Sequence, residues 1–446
     1  MRHRTGQTRF RWSFVLVALT SLILAAILLT SAIVSHGSLV GARDAGALAS
    51  VLLAFLIFVL SAIVLVFRPE QRTLGHLQWT SHMSAVAIFL AFGGILYLVA
   101  SEVRTEPGIG IAVTDQADVD VVLEPAIEGA VASPAGPAYF VPTGVYIQSL
   151  EFLSANNVQV TGYVWQTYSA AIPPEVTRGF VLPEAIEEAY ESEEAYRHVT
   201  DEGETIGWYF HAIVRQQFDY RQYPFDRQDV WMRLWHADLE GSVILTPDFS
   251  SYADIDPATL PGLMQDFVYE GWDPEFTGFS MDFTAFNTSF GLDRAVFPDS
   301  YPELLYNVGL RRNVVAPLLD HLLALIVVAL LLFATVRLTT MDEDHQRRRG
   351  NLVFDVLGFC AALMFIVILA HNGIRNSVSP DQIAYLEMFP FLLYVAILLV
   401  ALNAILLTSP NPPKLIAYQD NIMGRLLYWP LLLGALLVLT LFTLVW

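Results

Sequence analysis

Residues 218–235 read Phe-Asp-Tyr-Arg-Gln-Tyr-Pro-Phe-Asp-Arg-Gln-Asp-Val-Trp-Met-Arg-Leu-Trp. Their pattern predicts two β-strands joined by a tight turn at residues 223–226. Pro224 fixes the backbone φ angle in this turn, and the ionised side chain of Asp226 only accepts hydrogen bonds. Four long apolar segments follow about 90 residues later. The chain therefore places a β-rich region ahead of a predicted helical bundle.

The composition predicts an integral membrane protein. Hydrophobic residues make up 54% of the chain, which is typical of a protein that crosses a bilayer several times. Seven apolar runs are long enough to cross about 30 Å of hydrocarbon as helices. These runs are 13–34, 46–67, 82–100, 316–337, 352–370, 383–407 and 426–446.

Basic residues mark the connections that we expect to face the cytoplasm. Lys and Arg cluster before the first run and in alternate connections between the later runs. This pattern predicts a multi-pass protein of the cell membrane with a cytoplasmic N-terminus. The segment 101–312 and the C-terminus would then be extracellular or periplasmic. The first run is long and no small-residue cleavage site ends it, so we expect a retained anchor and not a signal peptide.

The segment between Glu102 and Glu303 is strongly acidic. It contains 34 Asp and Glu, eight Arg and no Lys, for a net charge of about −26. This charge excludes nucleic-acid binding and would attract cations, although it equally serves to keep an exported domain soluble. The single cysteine, Cys360, lies in a predicted span, so the exported segment has no disulfide.

Short strands with a period of two, separated by Gly, Pro, Asn and Asp, predict an antiparallel β-sandwich. Leu182–Arg197 is an exception, because its Glu and Ala content indicates a helical turn or an acidic loop. The predicted organisation is a three-helix membrane module at 1–104, a linker at 105–138, the sandwich at 139–312 and a four-helix membrane domain at 313–446. No phosphate loop, zinc spacing or nucleophile–base pair is recognisable, so we expect neither an enzyme nor a cofactor or metal.

Several motifs resemble, in order, those of the pentameric ligand-gated ion channels, the Cys-loop receptor superfamily, and fit its prokaryotic branch best. They are Val141–Leu150, Val160–Tyr168, Phe180-Val-Leu-Pro-Glu184, Tyr223-Pro-Phe-Asp-Arg-Gln228, Gly271-Trp-Asp273 and Leu310-Arg-Arg312. The resemblance covers roughly residues 140–446, about two thirds of the chain. The cysteines that bracket the loop in animal receptors are absent, as in the prokaryotic relatives. Three additional spans precede the sandwich, and the family's usual chain has none there.

The resemblance implies a homo-oligomer, a pentamer, with an immunoglobulin-like ligand-binding sandwich on a transmembrane channel domain. Its turn residues, Tyr223, Pro224, Phe225 and Asp226, would couple the two domains. Asp226 would pair with Arg311 or Arg312, and the sequence leaves this choice open.

In the resembled family, a small ligand binds to aromatic residues between subunits. The candidates here are Trp165, Phe180, Phe290, Phe297 and Tyr301. Aromatic residues of a sandwich are also commonly core residues, and this alternative stays open. His211 and His236 permit proton sensing, so protons are a second candidate ligand.

The resemblance makes the fifth run the pore-lining helix. With His371 at its outer end, the helical spacing places Phe354, Gly358, Ala361, Phe365 and Ile368 toward the axis, and Asp355 beside them is an intramembrane acid. This apolar lining could gate ions by dewetting, or the bundle could be a non-conducting sensor or scaffold. Other polar residues expected to face neighbouring helices are Asp320, His321, Glu387 and Asn403. Neither the ligand nor the permeating ion follows from the sequence.

Overall fold

A computed structural model describes residues 74–101, 107–131, 138–238, 243–266, 269, 271–285, 287–288, 301–339, 352–378, 381–418 and 420–445. Five helices in this part of the chain are long and apolar enough to cross a membrane: Ser81–Ser101, Val315–Leu338, Val353–Asn376, Tyr385–Leu407 and Ile422–Leu444. They correspond to the last five predicted runs, which supports a multi-pass membrane protein. The predicted runs 13–34 and 46–67 lie outside the described residues, and the orientation in the membrane stays a prediction.

In the described part of the chain, ten strands form two five-stranded sheets. The strands are β1 Ile111–Val113, β2 Tyr139–Phe152, β3 Asn157–Ser169, β4 Phe180–Val181, β5 Ala185–Thr200, β6 Gly203–Arg215, β7 Arg227–His236, β8 Val243–Pro247, β9 Trp272–Thr284 and β10 Tyr301–Arg312. One sheet has the order β1-β9-β10-β7-β4 and the other the order β5-β6-β3-β2-β8. Pairing is antiparallel except between β2 and β8.

The inward residues of both sheets share one hydrophobic core. Val158, Val160 and Val164 of β3 are buried in it together with alternate residues of β7, such as Met232 and Leu234. Since successive side chains of a strand point to opposite faces, the period of two buries one face of each sheet. The segment 139–312, which the sequence predicts as a sandwich, therefore forms β-strands.

The helices longer than one turn are α1 Leu74–Ser101, α2 Gln116–Val131, α3 Val315–Leu338, α4 Leu352–Asn376, α5 Met388–Leu407 and α6 Ile422–Thr440. A short turn of 3₁₀ helix, Tyr385–Glu387, precedes α5, and a π-helical turn, Leu441–Val445, follows α6. The four helices α3, α4, α5 and α6 share a second hydrophobic core. Its buried residues include Leu332, Leu363, Ile397 and Tyr428. The N-terminal helix α1 packs along α6, where the Ser81 hydroxyl donates to the Leu426 carbonyl at 2.5 Å.

Two local predictions differ from the structure. The stretch 105–138, predicted as a linker, contains β1, which pairs with β9, and α2. Helix α2 forms because Asp115 accepts from the Asp118 amide at its start, and because Val119 and Leu123, four residues apart, bury one face in the core. Leu182–Arg197, predicted as a helical turn or acidic loop, lies mostly in β5, where pairing with β6 overrides its helix-favouring composition.

Candidate functional site

Strand pairing brings Asp226 beside Arg312. Arg312 ends β10 and Asp226 immediately precedes β7, and the two strands are antiparallel with Arg311 opposite Arg227. Arg312 Nε donates to Asp226 Oδ1 at 2.7 Å, and Arg312 Nη2 donates to Oδ2 at 3.0 Å. The backbone amide of Arg312 donates to the Asp226 carbonyl at 3.3 Å. The partner that the sequence left open is thus Arg312.

The other candidate, Arg311, points away from this pair. Neighbouring residues of a strand project to opposite faces. The Arg311 guanidinium lies 3.7 Å from both Asp273 and Glu275, and its side chain is 37% exposed. Its ion pairs are partly solvated, whereas Asp226 is 1% exposed. The two arginines therefore occupy different electrostatic environments.

Arg312 is also surrounded by aromatic rings. Its guanidinium carbon lies 4.0 Å from the centroid of Trp272, 4.9 Å from Tyr223 and 5.9 Å from Tyr220. Trp272 reaches this position because it is opposite Arg312 in the β9–β10 pairing. Burial raises the pKa of Tyr220 to about 12 and raises that of Tyr223, so both phenols are neutral. Gln228 Nε2 adds a hydrogen bond to Asp226 at 2.8 Å.

The turn that carries Asp226 is bonded to the loop between α4 and α5. Tyr385 N–H donates to the Arg221 carbonyl at 2.8 Å, and Leu386 N–H donates to the Tyr223 carbonyl at 3.2 Å. The Gln382 side chain makes two further bonds. Its Nε2 donates to the Phe218 carbonyl at 2.9 Å, and its Oε1 accepts from Tyr220 N–H at 2.7 Å. We call residues 218–228, Trp272, Arg312 and 382–387 the junction.

The tip of the turn is inserted among the helix ends. Phe225 is 5% exposed, and its ring lies 6.1 Å from that of Tyr385 with the planes at 60°. The surrounding apolar cluster takes residues from α1, the start of α3, α5 and the segment after α6. They are Leu96, Val99, Ala100, Val314, Leu318, Phe389 and Leu444. A displacement of Phe225 would therefore meet several helices at once.

A buried acid stabilises the loop that receives the turn. Glu387 is 2% exposed and accepts from Ala384 N–H, His371 Nε2 and Arg375 Nη1, each at 3.0 Å. His371 and Arg375 lie in the last turns of α4, so Glu387 connects the C-terminal end of α4 to the start of α5. As expected for an acid in an apolar run, it faces a neighbouring helix and not lipid.

The three predicted ligand residues that the structure describes, Trp165, Phe180 and Tyr301, each contact different partners within one chain. Trp165 is on the outer face of β3, where its Nε1 donates to Asp248 at 2.8 Å and its ring lies 5.7 Å from Tyr252. Tyr301 donates to the Val243 carbonyl at 3.0 Å, and burial raises its pKa to about 12. Phe290 and Phe297 lie outside the described residues.

Phe180, which was predicted as a ligand residue, is buried in the core of this chain. It is 6% exposed, and its ring meets Trp208 at 6.0 Å and Phe210 at 6.1 Å, both edge to face. Its short strand, β4, pairs with the end of β7 and turns the ring into the core between the sheets. The open alternative of a core aromatic is the one that the structure bears out.

Trp165 is one of several donors that favour the ionised form of Asp248. Burial raises the pKa of Asp248, but the hydrogen bonds from Ser251, Ser250 and Trp165 together lower it by more. The pKa therefore lies below its usual range. Gly144 leaves room for the indole ring, because a Cβ at that position would lie 2.1 Å from Trp165 Cε2. The resulting surface combines an aromatic face with a fixed negative charge.

The residues predicted to line a pore share one exposed strip of α4. Phe354 is 70% exposed, Phe365 61% and Ile368 42%. Asp355, Gly358 and Ala361 are exposed beside them. The opposite side of α4 packs into the helix core through residues such as Leu363 and Val367. Apart from Asp355, the strip offers carbon atoms only.

A scan against protein-family models and a search of curated proteins gave no match. The resemblance to the pentameric channels thus stays a prediction from motifs.

Of the two candidate proton-sensing histidines, His236 is completely buried and His211 is half-buried. His236 Nδ1 accepts from Asp238 N–H at 3.1 Å, which leaves Nε2 to donate to the Tyr168 oxygen at 3.0 Å. The Tyr168 hydroxyl in turn donates to Gln166 Oε1 at 2.6 Å. Burial lowers the pKa of His236, so its neutral form is favoured.

Sequence reasoning missed most of the residues that complete the junction. Trp272 was part of a recognised motif, but nothing in the motif indicated its contact with a cation. Gln382 and Tyr385 lie about 160 residues from the turn that they contact. No local sequence pattern links these residues to the turn. Their contact with it follows only from the packing of the helix ends against the sheets.

Proposed function

We propose that this chain is one subunit of a homopentameric ligand-gated ion channel. A small ligand, or a proton, would bind the sheet domain outside the membrane and open a pore lined by α4. The observation that carries the proposal is the junction. At the junction, the turn is buried and its Asp226 is paired with Arg312. This turn connects the hydrophobic core between the two sheets to the loop between α4 and α5.

Two physical connections support a transfer of movement through this site. The first is covalent, since β10 continues through Arg312 directly into α3. The second is a set of hydrogen bonds between residues 218–223 and the loop that joins the C-terminal end of α4 to α5. The loop residues that take part are Gln382, Tyr385 and Leu386. A shift of β7 against β10 would strain both connections together, because Asp226 and Arg312 join these strands. Packed elements of this kind move between discrete arrangements and do not deform smoothly.

The exposed strip of α4 supports the pore in this proposal. An apolar strip of this size needs either lipid or a partner to cover it, and head-to-tail subunit contacts close into rings. In such a ring, Phe354, Phe365 and Ile368 from each subunit would form hydrophobic constrictions. A constriction of this kind excludes water until it widens, so gating by dewetting follows.

A non-conducting membrane sensor is the second candidate. It is favoured by the contact of α1 with the turn, through Leu96, Val99 and Ala100 around Phe225. Movement of the turn would reach α1 by this path without a pore. The absence of hydroxyl side chains from the six predicted pore-lining positions also favours it.

Ion flux from liposomes distinguishes the two functions. We expect flux evoked by an amine, a carboxylate or a pH step, and we expect Phe365→Ser to raise the flux without ligand because it wets the constriction. Phe359→Ser is the matched control, since Phe359 is 39% exposed and lies off the strip. A correctly assembled ring that stays silent in both variants would exclude the channel and favour the sensor.

A further inference from the structure

A cavity of about 270 Å³ lies between α1, α3 and α6, at the helix ends remote from the sheets. Its polar wall comes from all three helices. It consists of Gln78, Ser81 and His82 from α1, Arg337 from α3 and Arg425 from α6. The opposite ends of the same helices contact Phe225 or continue from Arg312, so this cavity is separate from the junction.

The cavity is electropositive. Two guanidinium groups line it, and no carboxylate does so among the described residues. Within the same part of the chain, Arg337 is exposed and makes no ion pair. Arg425 Nη2 donates to the Thr339 carbonyl at 3.0 Å and to Asp420 at 3.2 Å, but its Nε is buried without a hydrogen-bond partner. One cation is thus unpaired and another is incompletely satisfied.

The other wall of the cavity is apolar and lies within the membrane-spanning segments. It is formed by Ala85, Val86, Phe333, Ile422, Leu426 and Trp429. The polar residues lie where the spans begin or end, since Ser81 and Ile422 each begin a span and Arg337 is next to the last residue of another. The cavity therefore has cations at the level of the lipid headgroups and hydrocarbon on its inner side.

We propose that this cavity binds the phosphate headgroup of an anionic phospholipid. Arginine pairs with phosphate through two parallel hydrogen bonds, and basic pockets between transmembrane helices at the cytoplasmic side suit such headgroups. The distribution of Lys and Arg predicts that this end of the helices is cytoplasmic. A free phosphate ion has no apolar part, so it would leave the wall of Phe333 and Trp429 unused.

The bound headgroup would hold α1 to the bundle. Helix α1 supplies Gln78 and Ser81 to the cavity, and Ser81 already donates to the Leu426 carbonyl of α6. A phosphate between these helices would pair with Arg337 and Arg425 through charge and would accept a hydrogen bond from the neutral Gln78 amide of α1. The lipid would thereby be a structural partner of α1.

Native mass spectrometry of the full chain in mixed lipid micelles tests this site. The probes are phosphatidylglycerol and phosphatidylcholine with identical acyl chains, and inorganic phosphate as a competitor. We expect preferential retention of phosphatidylglycerol and about a tenfold loss of that preference in Arg337→Gln. Arg337→Lys, which keeps the charge, should retain most of the preference. The control is Arg221→Gln, an arginine whose side chain is 72% exposed at the other end of the helices.

Three outcomes would overturn the proposal. They are equal retention of the two lipids, an unchanged preference in Arg337→Gln, or displacement of the lipid by millimolar phosphate, which would assign the site to a soluble anion. Arg337 is exposed and makes no ion pair in the described part of the chain, so we expect its substitution to leave the fold intact. None of these readouts depends on whether the protein conducts ions.

Discussion

Arg312 donates two side-chain hydrogen bonds to the carboxylate of Asp226, and its backbone amide donates to the carbonyl of the same residue. Both side chains are largely removed from water, at 15% and 0% exposure. The two residues lie 86 positions apart in the chain. They join the turn before β7 to the end of β10, where the sheets meet the helices.

Removing one partner of this pair should be strongly destabilising. In Asp226→Asn the Arg312 cation loses its counter-charge, and breaking a buried pair costs about 3–5 kcal/mol. We expect a loss of this order in the free energy of unfolding, measured by denaturant titration of the purified protein. Asp219→Asn is the control, because its pair with Arg221 is 50% and 72% exposed and should contribute less than about 1 kcal/mol. Equal effects of the two variants would contradict the assignment.

Gln382→Ala should loosen the contact of the turn with the helices and leave both domains folded, because the backbone bonds of Tyr385 and Leu386 to the turn remain. The substitution leaves the Phe218 carbonyl and the Tyr220 amide without their partner, at a cost of about 1–3 kcal/mol. Hydrogen exchange of the Tyr220 amide should accelerate by at least about tenfold, while the amides of β3 stay protected. Gln222→Ala, at an exposed neighbouring position, should leave both rates unchanged. Unaltered exchange at Tyr220 in Gln382→Ala would disprove this role.

Acidification should destabilise the sheet domain through His236. Burial lowers the pKa of His236 in the folded state, so the unfolded state binds the proton more tightly. The stability from this group is complete above the ordinary pKa of about 6.5 and is lost as the pH falls below it, by at most about 1.4 kcal/mol per pH unit.

His236→Gln tests this pH dependence, because the amide of Gln can still donate to Tyr168 but does not titrate. The variant should be less sensitive to pH between 7.5 and 5, as measured by unfolding at each pH. His211→Gln, at a half-buried position, should keep the sensitivity of the parent chain. Identical pH profiles of the parent and His236→Gln would contradict the prediction.

Gly144→Ala should displace Trp165. The new Cβ would lie 2.1 Å from the indole ring, so the ring must move and its bond to Asp248 would break. Overpacking of this kind costs about 1–3 kcal/mol. The measurement is unfolding stability together with the fluorescence of Trp165. Gly278→Ala is the matched strand control, since its nearest neighbour is Pro257 Cγ at 3.9 Å.

The sequence alone determined the features that depend on local pattern. Apolar runs of about 20 residues require a bilayer, and the five such runs among the described residues all form helices. The alternation after residue 226 and the turn residues of 223–226 likewise specified β7 and a bend. The strand predicted before the turn is absent, because β6 ends at Arg215 and lies in the other sheet. These patterns are legible because each reports the environment of neighbouring residues only.

The tertiary structure decided every feature that depends on register between distant segments. The choice of Arg312 over Arg311 follows from the alignment of β10 with β7 and β9, since a shift of one residue would exchange the faces of the two side chains. Phe180 is a core residue because β4 pairs with the end of β7. Gln382 meets Tyr220 only because the helix ends pack against the sheets. Such contacts form between parts of the chain that are far apart, and no local pattern encodes their alignment.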